Sequence, residues 1–499
     1  MKNKDIPEGG SKAVIIVKTH NSNNKDFQIR KSVKAFTDSL LDLIVHDSVK
    51  NIVDHYGKEE LIYLGPDEQV IPSDIDWICE RAAQRGYPIP AAFMSSKKGA
   101  GINHKEYGVT SEGVVCYLDV ALKNSLNIDP RKDPFTIKIT GGPDGDVAGN
   151  LIKILYREYG NNCKVVGIAD GFGVAEDPNG LDAGELLRLV EEAQPITSFN
   201  RSKLGSEGVL FDIVSSEGLS RRLTMCFRVK SDAFIPAGGR PNTINIDNWK
   251  NFLDANGKPS SPLIVEGANI FITNEARAKL WSEAGVKIVK DSSANKCGVI
   301  TSSCEVMASM LLSKDEFMSI KKDLVEDVVV RLKDVARLEA DLLFREFKYY
   351  QGSLPAFSER ISEAINKSSD AISEALENVQ KDDPLFQELF PSIFEILPKK
   401  LVDVAGDRVK TRFPLQYQKN AIASSLASKI VYNEGIHFVL SQSPDQLAQV
   451  AIEYYREDLR LKKLVASAEK DISSLSADQK EKVVSILKKG GVRTALNRY

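Results

Sequence analysis

The sequence predicts an α/β fold followed by a mostly α-helical C-terminal region. The first supporting observation is the stretch 135–170, in which a strand, a glycine-rich turn, a helix and a second strand follow one another. The second is a change in composition near residue 306, after which only five of the 33 glycines remain and helical periodicity dominates. At 499 residues the chain is long enough for two or three domains.

The stretch 135–170 has the order of elements found in a dinucleotide-binding unit. Phe135–Thr140 alternates apolar and polar residues, Asp146–Glu158 carries apolar residues at helical spacing, and Lys164–Ala169 is a second strand-like run. Glycines between the first strand and the helix let the backbone turn tightly and approach a ligand. We therefore predict the first βαβ unit of a Rossmann-like, doubly wound cofactor domain, with a pyrophosphate at the helix N-terminus.

The glycine-rich turn departs from the usual G-x-G-x-x-G/A spacing, because one additional residue separates Gly142 from Gly145. Such a turn can be an ordinary tight loop. The helix, the second strand and a terminal aspartate follow it in register, however, and together they favour nucleotide binding. The predicted cofactor-binding residues of the turn are Gly142, Gly145, Asp146 and Val147.

Asp170 follows the second strand, where an acidic side chain can accept hydrogen bonds from the ribose hydroxyls of a dinucleotide. A carboxylate there also repels a 2′-phosphate, and no arginine stands immediately beside it in the sequence. The residue therefore predicts NAD rather than NADP as the cofactor. Its alternative role is a polar cap at the end of a strand.

Two side chains in the N-terminal part are candidates for acid–base chemistry. Lys12 follows two glycines and precedes Ala13–Val17, a run that predicts a buried strand. It is either a solvated lysine of a surface turn or a partly desolvated lysine whose lowered pKa suits catalysis. Asp67 follows a short predicted strand, Leu61–Leu64, and belongs either to a structural Pro-Asp turn or to a cleft as a catalytic base.

Periodicity and turn residues predict the remaining elements. The N-terminal part predicts a helix over 26–58, a helix over 73–85 capped by Ser73, a glycine-rich loop over 95–113 and a helix over 114–124. Strands over 263–265 and 286–289 flank a helix over 273–284. Beyond 306, helices are expected over 320–342 and near 359–377, 415–431, 444–467 and 477–489, separated by prolines. We interpret this last region as a bundle that packs on the core or builds an oligomer interface, in preference to a second active site.

Composition and charge argue against several classes of protein. A net charge of −3 with 27% charged residues predicts neither a nucleic-acid partner nor a membrane partner. The five histidines show no metal-ligand spacing, so we expect no metal site. The six cysteines form no C-x-x-C pair, which favours a reducing compartment. Since the first residues resemble neither a signal peptide nor a transit peptide, we expect a cytoplasmic protein, with the mitochondrial matrix as the alternative.

The run from Lys12 to Glu305 resembles the catalytic core of glutamate dehydrogenases of the large NAD-dependent class. That class belongs to the superfamily of glutamate, leucine, phenylalanine and valine dehydrogenases. Six motifs in the family's order carry the resemblance: Gly9-Gly10-Ser11-Lys12, Pro66-Asp67, Thr110-Ser-Glu-Gly113-Val114, Asp232–Pro236, Val265-Glu-Gly-Ala-Asn269 and Asn295-Lys-Cys-Gly298-Val299-Ile-Thr-Ser302.

The resemblance implies a role for each matching residue. Lys12 would be the catalytic lysine and Asp67 the proton-transferring aspartate. Thr110 would lie near the nicotinamide, Asn269 near its ribose, Asn295 near the nicotinamide and substrate, and Ser302 at the substrate's side-chain carboxylate. The implied domains are a partial substrate domain over 1–125, an NAD-binding domain over 126–305 and the helical region over 306–499. The implied activity is reversible, NAD-dependent oxidative deamination of L-glutamate by a homo-oligomer.

The sequence departs from the family pattern in two respects. The family has two further substrate-binding lysines upstream of the catalytic one and a long N-terminal regulatory region, so this chain is expected to be N-terminally truncated relative to the family. The arginine usual before the Thr-x-x-Gly motif is replaced by His104-Lys105-Glu106, and Lys105 can supply a point charge there but not a bidentate fork. The alternatives are a dehydrogenase for leucine, phenylalanine or valine, and a catalytically inactive or regulatory subunit of the same family.

Overall fold

The computed structural model describes residues 5–10, 12–18, 24–45, 53, 55, 57, 60–66, 69–97, 99–471 and 474–484. Within these residues a seven-stranded sheet has the spatial order β4-β3-β2-β1-β5-β6-β7. Its strands are β1 (Phe135–Thr140), β2 (Cys163–Ala169), β3 (Gly173–Glu176), β4 (Val209–Asp212), β5 (Ala233–Pro236), β6 (Leu263–Val265) and β7 (Lys287–Val289).

The sheet has a parallel centre and an antiparallel edge. Strand β1 pairs in parallel with β2 on one side and with β5 on the other, and β6 and β7 continue the parallel arrangement. Strands β3 and β4 pair antiparallel beyond β2. Because the chain leaves β1 toward β2 and later returns to the opposite side as β5, a topological switch point lies between β1 and β5.

Helices precede, cover and follow the sheet. Those up to the end of the sheet region are α1 (Lys25–Ile44), α2 (Pro72–Gln84), α3 (His104–Tyr107), α4 (Val109–Leu126), α5 (Asp146–Tyr159), α6 (Ala183–Glu191), α7 (Ser216–Arg228), α8 (Asn274–Ala284), α9 (Asp291–Ala294) and α10 (Cys297–Leu311). The C-terminal helices are α11 (Lys314–Tyr349), α12 (Leu354–Ala375), α13 (Pro384–Leu389), α14 (Lys399–Ala405), α15 (Val409–Arg412), α16 (Leu415–Glu434), α17 (Ile436–Leu440) and α18 (Pro444–Asp471). Residues 477–484 are also helical.

The predicted fold class is confirmed, and the predicted βαβ unit agrees with the observed elements. The predicted strands 135–140 and 263–265 are observed with the same bounds, and the helix after the glycine-rich turn extends one residue further, to Tyr159. Strand β1 is buried along most of its length, as expected of a central parallel strand. The sequence interpretation did not include β3 and β4, whose four-residue runs are too short for alternation to be recognised.

The C-terminal region is helical, as predicted. Several prolines that were expected to break helices stand at helix N-termini, where the missing N–H costs no hydrogen bond: Pro355, Pro384 and Pro444 lie in first turns. Helix α11 packs on α4, and α12 packs on α16 and α18. The helical region therefore builds on the α/β part through α4 and α11. Among the described residues, none of the helices has the length and apolar character required to span a membrane.

The N-terminal predictions need several corrections. The helix expected over 26–58 ends at Ile44, because the next residue, Val45, is extended. The expected strand 61–64 is reduced to a single bridge between Leu64 and Met94. The expected buried strand 13–17 is absent from the described residues, since this run has no strand pairing and Val14 and Ile16 are 79% and 91% exposed.

Two predicted helix starts are also wrong. The helix predicted to begin at Ser73 begins at Pro72, because the Asp74 carboxylate accepts the N–H of Ile71 and makes that residue the cap. The helix predicted to begin at residue 114 begins at Val109. The predicted loop over 95–113 is therefore shorter than expected, since α3 and α4 occupy most of its second half. Gly108, at a φ of 60°, separates these two helices.

A lysine lies inside the sheet, with its side chain fully buried. Lys138, in the middle of β1, donates from Nζ to the Val229 carbonyl at 2.6 Å and to Ser260 Oγ at 2.7 Å. The rings of Phe234 and Phe252 flank the amine at 5.4 and 4.8 Å. Burial lowers the pKa of Lys138 from its usual value to about 7, because the charged form loses its hydration.

We expect Lys138 to make the stability of the fold depend on pH. The unfolded chain keeps this amine protonated up to its ordinary pKa near 10.5, whereas the folded chain releases the proton above about 7. The free energy of unfolding should therefore rise with pH between these values, by up to about 1.4 kcal/mol per pH unit. Thermal unfolding of the wild type and of Lys138→Met across this range should show a Tm difference that moves in favour of the wild type as the pH increases.

The matched control is Lys164→Met, which removes an exposed lysine from the neighbouring strand. Its Tm difference from the wild type should be independent of pH over the same range. Parallel pH profiles for the wild type and Lys138→Met would contradict the assignment.

Candidate active site

The switch point between β1 and β5 brings two glycine-containing turns together at the carboxyl edge of the sheet. Gly141 has a φ of 107°, and a Cβ there would lie 3.0 Å from the backbone nitrogen of Gly238. The N–H of Ala237 donates to the Thr140 carbonyl at 2.9 Å. Ligands of open α/β sheets bind in the crevice at such a point, so this edge is the candidate site.

The glycine-rich turn leads directly into α5. The N–H of Gly145 donates to the Gly142 carbonyl at 2.9 Å, and Gly149 lies so close to Pro143 that a Cβ would be 2.3 Å from its carbonyl oxygen. The turn is therefore packed against the first part of the helix. The first N–H groups of a helix have no intrahelical acceptor and favour an anion such as a pyrophosphate.

Asp146 and Val147, the other predicted cofactor residues, occupy the first turn of α5. The Asp146 carboxylate lies 3.5 Å from Asn150 Nδ2 and is stabilised by the positive end of the helix dipole. The Val147 carbonyl accepts a hydrogen bond from Ser111 Oγ at 2.8 Å, and a Cβ on Gly267 would lie 3.3 Å from a Val147 methyl group. Val147 thus joins the glycine-rich turn to α4 and to the loop after β6.

Asp170 lies at the end of β2, beside the glycine-rich turn. Its carboxylate accepts the backbone N–H groups of Phe172, Gly173 and Ile196 at 2.8, 2.9 and 2.7 Å. A Cβ on Gly142 would lie 2.8 Å from Asp170 Oδ2. Asp170 is therefore a polar cap at the end of β2, which is the alternative role that the sequence analysis gave it. A carboxylate has about four acceptor positions, so three backbone bonds leave room for one more donor, and the ribose contact stays a prediction.

The two predicted asparagines are hydrogen-bonded to each other. Asn295 Nδ2 donates to Asn269 Oδ1 at 2.9 Å and to the Gly267 carbonyl at 3.0 Å. Asn295 is buried, and its Oδ1 has no hydrogen-bond partner among the described residues. A buried acceptor without a donor is costly, which makes this oxygen a position where a ligand's N–H group would be stabilised.

A buried ion pair holds the loops that carry these asparagines. Glu266, directly after β6, receives a hydrogen bond from Arg277 of α8 at 2.7 Å and another from the N–H of Asp291 at 3.0 Å. The Asp291 carboxylate in turn accepts the N–H of Ile270 at 2.8 Å. Residues after β6 and after β7 are therefore fixed to one another, and sequence reasoning did not identify Glu266 or Arg277 as their support.

Thr110 and Ser302 come together around His104. A Cβ on Gly298 would lie 3.3 Å from Thr110 Oγ1 and 3.6 Å from His104 Nδ1, so the glycine allows α10 to approach α4. Ser302 Oγ lies 3.4 Å from His104 Nε2. Burial lowers the pKa of His104, which keeps the ring neutral at neutral pH. In the sequence, His104 stood out as part of the segment that replaces an arginine.

A lysine of the glycine-rich loop forms an ion pair one turn further along α10. Lys97 Nζ lies 3.2 Å from Glu305 Oε1 and donates to the Met94 carbonyl at 2.8 Å. Glu305 is fully buried and also accepts the N–H of Ile102 at 2.9 Å. Because Ser302 and Glu305 are three residues apart on one helix, Lys97 is a positive charge on the same side of α10 as Ser302. The sequence analysis did not propose Lys97, although its position in a long polar loop was a signal.

Asp67 lies outside the described residues, and Lys12 is exposed. The segment that precedes Lys12 is nevertheless anchored, since Glu8 Oε1 accepts a hydrogen bond from Ser303 Oγ at 3.0 Å. Four residues of chain span at most about 14 Å, so Lys12 lies within that distance of Glu8. The segment before Asp67 is placed against the glycine-rich loop, because Gly65 faces Ser95. The pairing of Lys12 with Asp67 stays a prediction.

The described residues contain no group of three or more histidine, cysteine, aspartate or glutamate side chains arranged for a metal ion. The polar groups at the sheet edge are amides, hydroxyls, backbone N–H groups and the carboxylates of Asp146 and Asp170. Such groups suit an organic ligand with phosphate and amide functions.

Comparison with known proteins shows to which family the chain belongs. A sequence model of Glutamate/Leucine/Phenylalanine/Valine dehydrogenase matches residues 100–365, more than half of the chain. The chain belongs to the glutamate/leucine/phenylalanine/valine dehydrogenase family. Its similarity to that family thus includes the glycine-rich turn and every site residue described here except those before residue 100.

Two relatives of this chain carry the same name. The NAD-specific glutamate dehydrogenase of Neurospora crassa is 36% identical over 481 residues, which cover 90% of this chain and 43% of that protein. The NAD-specific glutamate dehydrogenase of Saccharomyces cerevisiae is 35% identical over 468 residues, which cover 87% of this chain and 42% of that protein. The chain thus spans about two-fifths of the length of the curated relatives it matches. A solved glutamate dehydrogenase from Plasmodium falciparum is 19% identical with a TM-score of 0.44, covering 82% of this chain and 66% of that one.

Gly142 provides a test of the candidate cofactor crevice. A Cβ there would lie 2.3 Å from Asp144 Oδ1 and 2.8 Å from Asp170 Oδ2, so Gly142→Ala must displace the turn or the carboxylate. We expect NADH to bind about 10- to 100-fold more weakly, which corresponds to about 1.4 to 2.7 kcal/mol. Titration of NADH fluorescence measures this change.

The matched control is Gly171→Ala. This glycine is adjacent to Asp170 in sequence, but a Cβ on it would have no atom within 4 Å. Its NADH affinity should remain within about twofold of the wild type. Equal affinities for both alanine variants would show that the turn is not the binding element.

Proposed function

We propose that this chain carries the catalytic core of an NAD-dependent glutamate dehydrogenase, which oxidatively deaminates L-glutamate to 2-oxoglutarate and ammonium and catalyses the reverse reaction. The observation that carries the proposal is the convergence of polar groups at one sheet edge. Thr110 and Ser302 meet around His104, while Asn269 and Asn295 are hydrogen-bonded to each other after β6 and β7. The names of relatives that are 33–36% identical to the chain support the same activity.

The residues at the crevice fit NAD. Gly142 leaves a space that a Cβ would fill, and it lies between the start of α5 and Asp170. The helix N-terminus would hold the pyrophosphate, and the remaining acceptor capacity of Asp170 would serve the adenosine ribose. Asn269 and Asn295 lie toward the opposite side of the switch point, after β6 and β7, where the nicotinamide end would be bound. The chemistry that NAD supplies when bound is acceptance of a hydride from the substrate Cα.

Two side chains of this chain would carry out the proposed proton transfers. Asp67 would remove a proton from the α-amino group of glutamate and later return one to the leaving ammonia. Lys12 would activate the water that adds to the iminium carbon and would stabilise the negative charge that develops on its oxygen. Closure of the site against bulk water would protect the iminium from premature hydrolysis.

The surroundings of Ser302 favour glutamate over leucine, phenylalanine or valine. Ser302 lies beside the His104 ring, and the Lys97 ammonium, which is paired with Glu305, lies on the same face of α10. Hydroxyl and ammonium groups stabilise a carboxylate, whereas an apolar substrate side chain would offer them no further acceptor. These polar groups support an acidic substrate side chain.

We also propose a homo-oligomer in a reducing, cytoplasmic environment. Support for an assembly comes from large apolar side chains on the surface beside the sheet edge, such as Phe172, Val214 and Leu223, which are more than half exposed. Support for the compartment comes from the cysteines, all six of which are free thiols. Analytical ultracentrifugation and cell fractionation test these two points.

Replacement of the proposed acid–base residues tests the activity. Lys12→Ala and Asp67→Asn should each lower kcat for glutamate oxidation by about 10²- to 10⁴-fold, because each removes a positioned proton-transfer group. The dissociation constant of NADH should be nearly unchanged in both variants. The measurement is NADH formation with glutamate, compared with leucine. A wild-type chain that binds NADH but turns over neither amino acid would favour an inactive subunit.

Ser302→Ala tests the substrate side of the site. Loss of a hydrogen bond to a carboxylate costs about 1.5–3 kcal/mol, so KM for glutamate should rise about 10- to 100-fold. The KM for NAD provides the internal control and should not change. An unchanged KM for glutamate would remove Ser302 from the substrate site.

A further inference from the structure

Two buried anchors tie the N-terminal segment, defined here as residues 5–10, to the rest of the molecule. At the first, the Asp5 carboxylate pairs with the ammonium of Lys296 and accepts the hydroxyl of Tyr432. At the second, Glu8 Oε1 accepts a hydrogen bond from Ser303 Oγ at 3.0 Å and another from the Tyr417 hydroxyl at 2.9 Å. In both anchors one partner comes from α10 or its N-cap, and the other comes from α16.

The first anchor lies entirely inside the protein. Lys296 is fully buried, and its Nζ also lies 2.6 Å from Glu339 Oε2 of α11 and 3.1 Å from the Tyr432 hydroxyl. Asp5 is 7% exposed. A buried ammonium requires paired charges and satisfied hydrogen bonds. Because water does not reach Lys296, it cannot replace the Asp5 carboxylate as a partner, and Asp5 is held in one position.

The second anchor lies close to both segments that carry the proposed acid–base residues. Glu8 is four residues before Lys12. The Tyr417 ring meets the Tyr63 ring edge-on at a centroid distance of 5.8 Å, and Tyr63 precedes Asp67 by four residues. Burial raises the pKa of Glu8 to about 7. The hydrogen bonds from Tyr417 and Ser303 act in the opposite direction and lower this pKa, but burial has the larger effect. Tyr417 therefore stands between the two segments.

We propose that Tyr417 and Tyr432 of α16 are positioning residues, which hold the N-terminal segment against α10 so that Lys12 faces the site containing Asn295 and Ser302. The inference rests on the proposed role of Lys12. It assigns the C-terminal helical region a part in the reaction beyond packing on the core. The stretch 295–303, which leads into α10, supplies both the site residues and the partners of the anchors, since Lys296 and Ser303 each follow a proposed substrate residue directly.

The test uses the double variant Tyr417→Phe/Tyr432→Phe in the full chain. The phenyl rings keep the aromatic contacts, and only the two hydroxyls that reach Glu8 and Asp5 are removed. We expect kcat with glutamate to fall about 10- to 100-fold, as for a misplaced catalytic group, while the dissociation constant of NADH stays unchanged. Hydrogen–deuterium exchange should become faster in residues 5–10 but not in residues 135–170.

The matched control is Tyr455→Phe, which alters a buried tyrosine of α18 whose ring lies under Lys429 Nζ at 5.1 Å. That variant should leave kcat and the exchange of the N-terminal segment unchanged. It separates the effect of the anchors from the general effect of losing a buried hydroxyl in the helical region.

A double-mutant cycle with Lys12→Ala decides between positioning and general stability. If the tyrosines act through Lys12, their replacement should have little further effect on kcat in the Lys12→Ala background. The same fold-loss in both backgrounds would overturn the inference, as would unchanged exchange of residues 5–10. If the wild type turns over no glutamate, the proposed function fails on its own, and the exchange experiment still decides whether the two tyrosines hold the segment.

Discussion

The buried ammonium of Lys296 imposes the constraint on which much of this structure depends. A charge without access to water must be neutralised, and its two carboxylate partners come from opposite parts of the chain, Asp5 and Glu339. The N-terminal segment, the start of α10 and helix α11 must therefore meet at one point. Since Asn295 directly precedes Lys296, the same interaction fixes the position of a proposed substrate residue.

A second constraint acts at the carboxyl edge of the sheet. Parallel strands end at this edge, and the loops after β1, β5, β6 and β7 must share a narrow space. Glycine satisfies this requirement at Gly141, which approaches Gly238 closely, and at Gly142, which approaches Asp170. The Glu266–Arg277 ion pair then ties the loop after β6 to the start of α9. Close packing and paired charges together produce a preorganised crevice.

The helical region contributes more to this crevice than its distance along the chain suggests. Helix α11 packs on α4, which carries Thr110 in its first turn, and α16 carries the two tyrosines that reach the N-terminal segment. The site is therefore enclosed by the α/β part on one side and supported by the helical part on the other. In physical terms, the C-terminal helices supply rigid partners to a segment that has no strand pairing of its own.

Local patterns predicted the central part of the fold well and the N-terminal part poorly. The alternating run 135–140 and the apolar run 263–265 were predicted with their observed bounds, because each is followed by a glycine-containing turn. The run 13–17 has the same apolar character and is nevertheless exposed, since the described residues provide no neighbouring strand for it. Strand formation depends on a partner, which local sequence does not contain.

The candidate site shows the same division. Order and spacing of motifs identified Thr110, Asn269, Asn295 and Ser302 as candidates, and the structure adds that Asn295 donates a hydrogen bond to Asn269. Neither the role of His104 beside Ser302 nor the Lys97–Glu305 pair could be predicted, because each joins residues about 200 positions apart. For Asp170 the sequence predicted the position at the end of a strand, but it did not predict the three backbone N–H groups that bind the carboxylate.

By itself the sequence determined the α/β class, the dinucleotide-binding unit, the helical C-terminal region and the chemical types available for catalysis. These features follow from periodicity, glycine placement and residue chemistry, all of which act over a few residues. Only the tertiary structure decided that Lys296 would be buried between Asp5, Glu339 and Tyr432, and that α16 would reach the segment before Lys12. The physical reason is that a buried charge or hydroxyl is satisfied by whichever group the completed fold places beside it, regardless of distance along the chain.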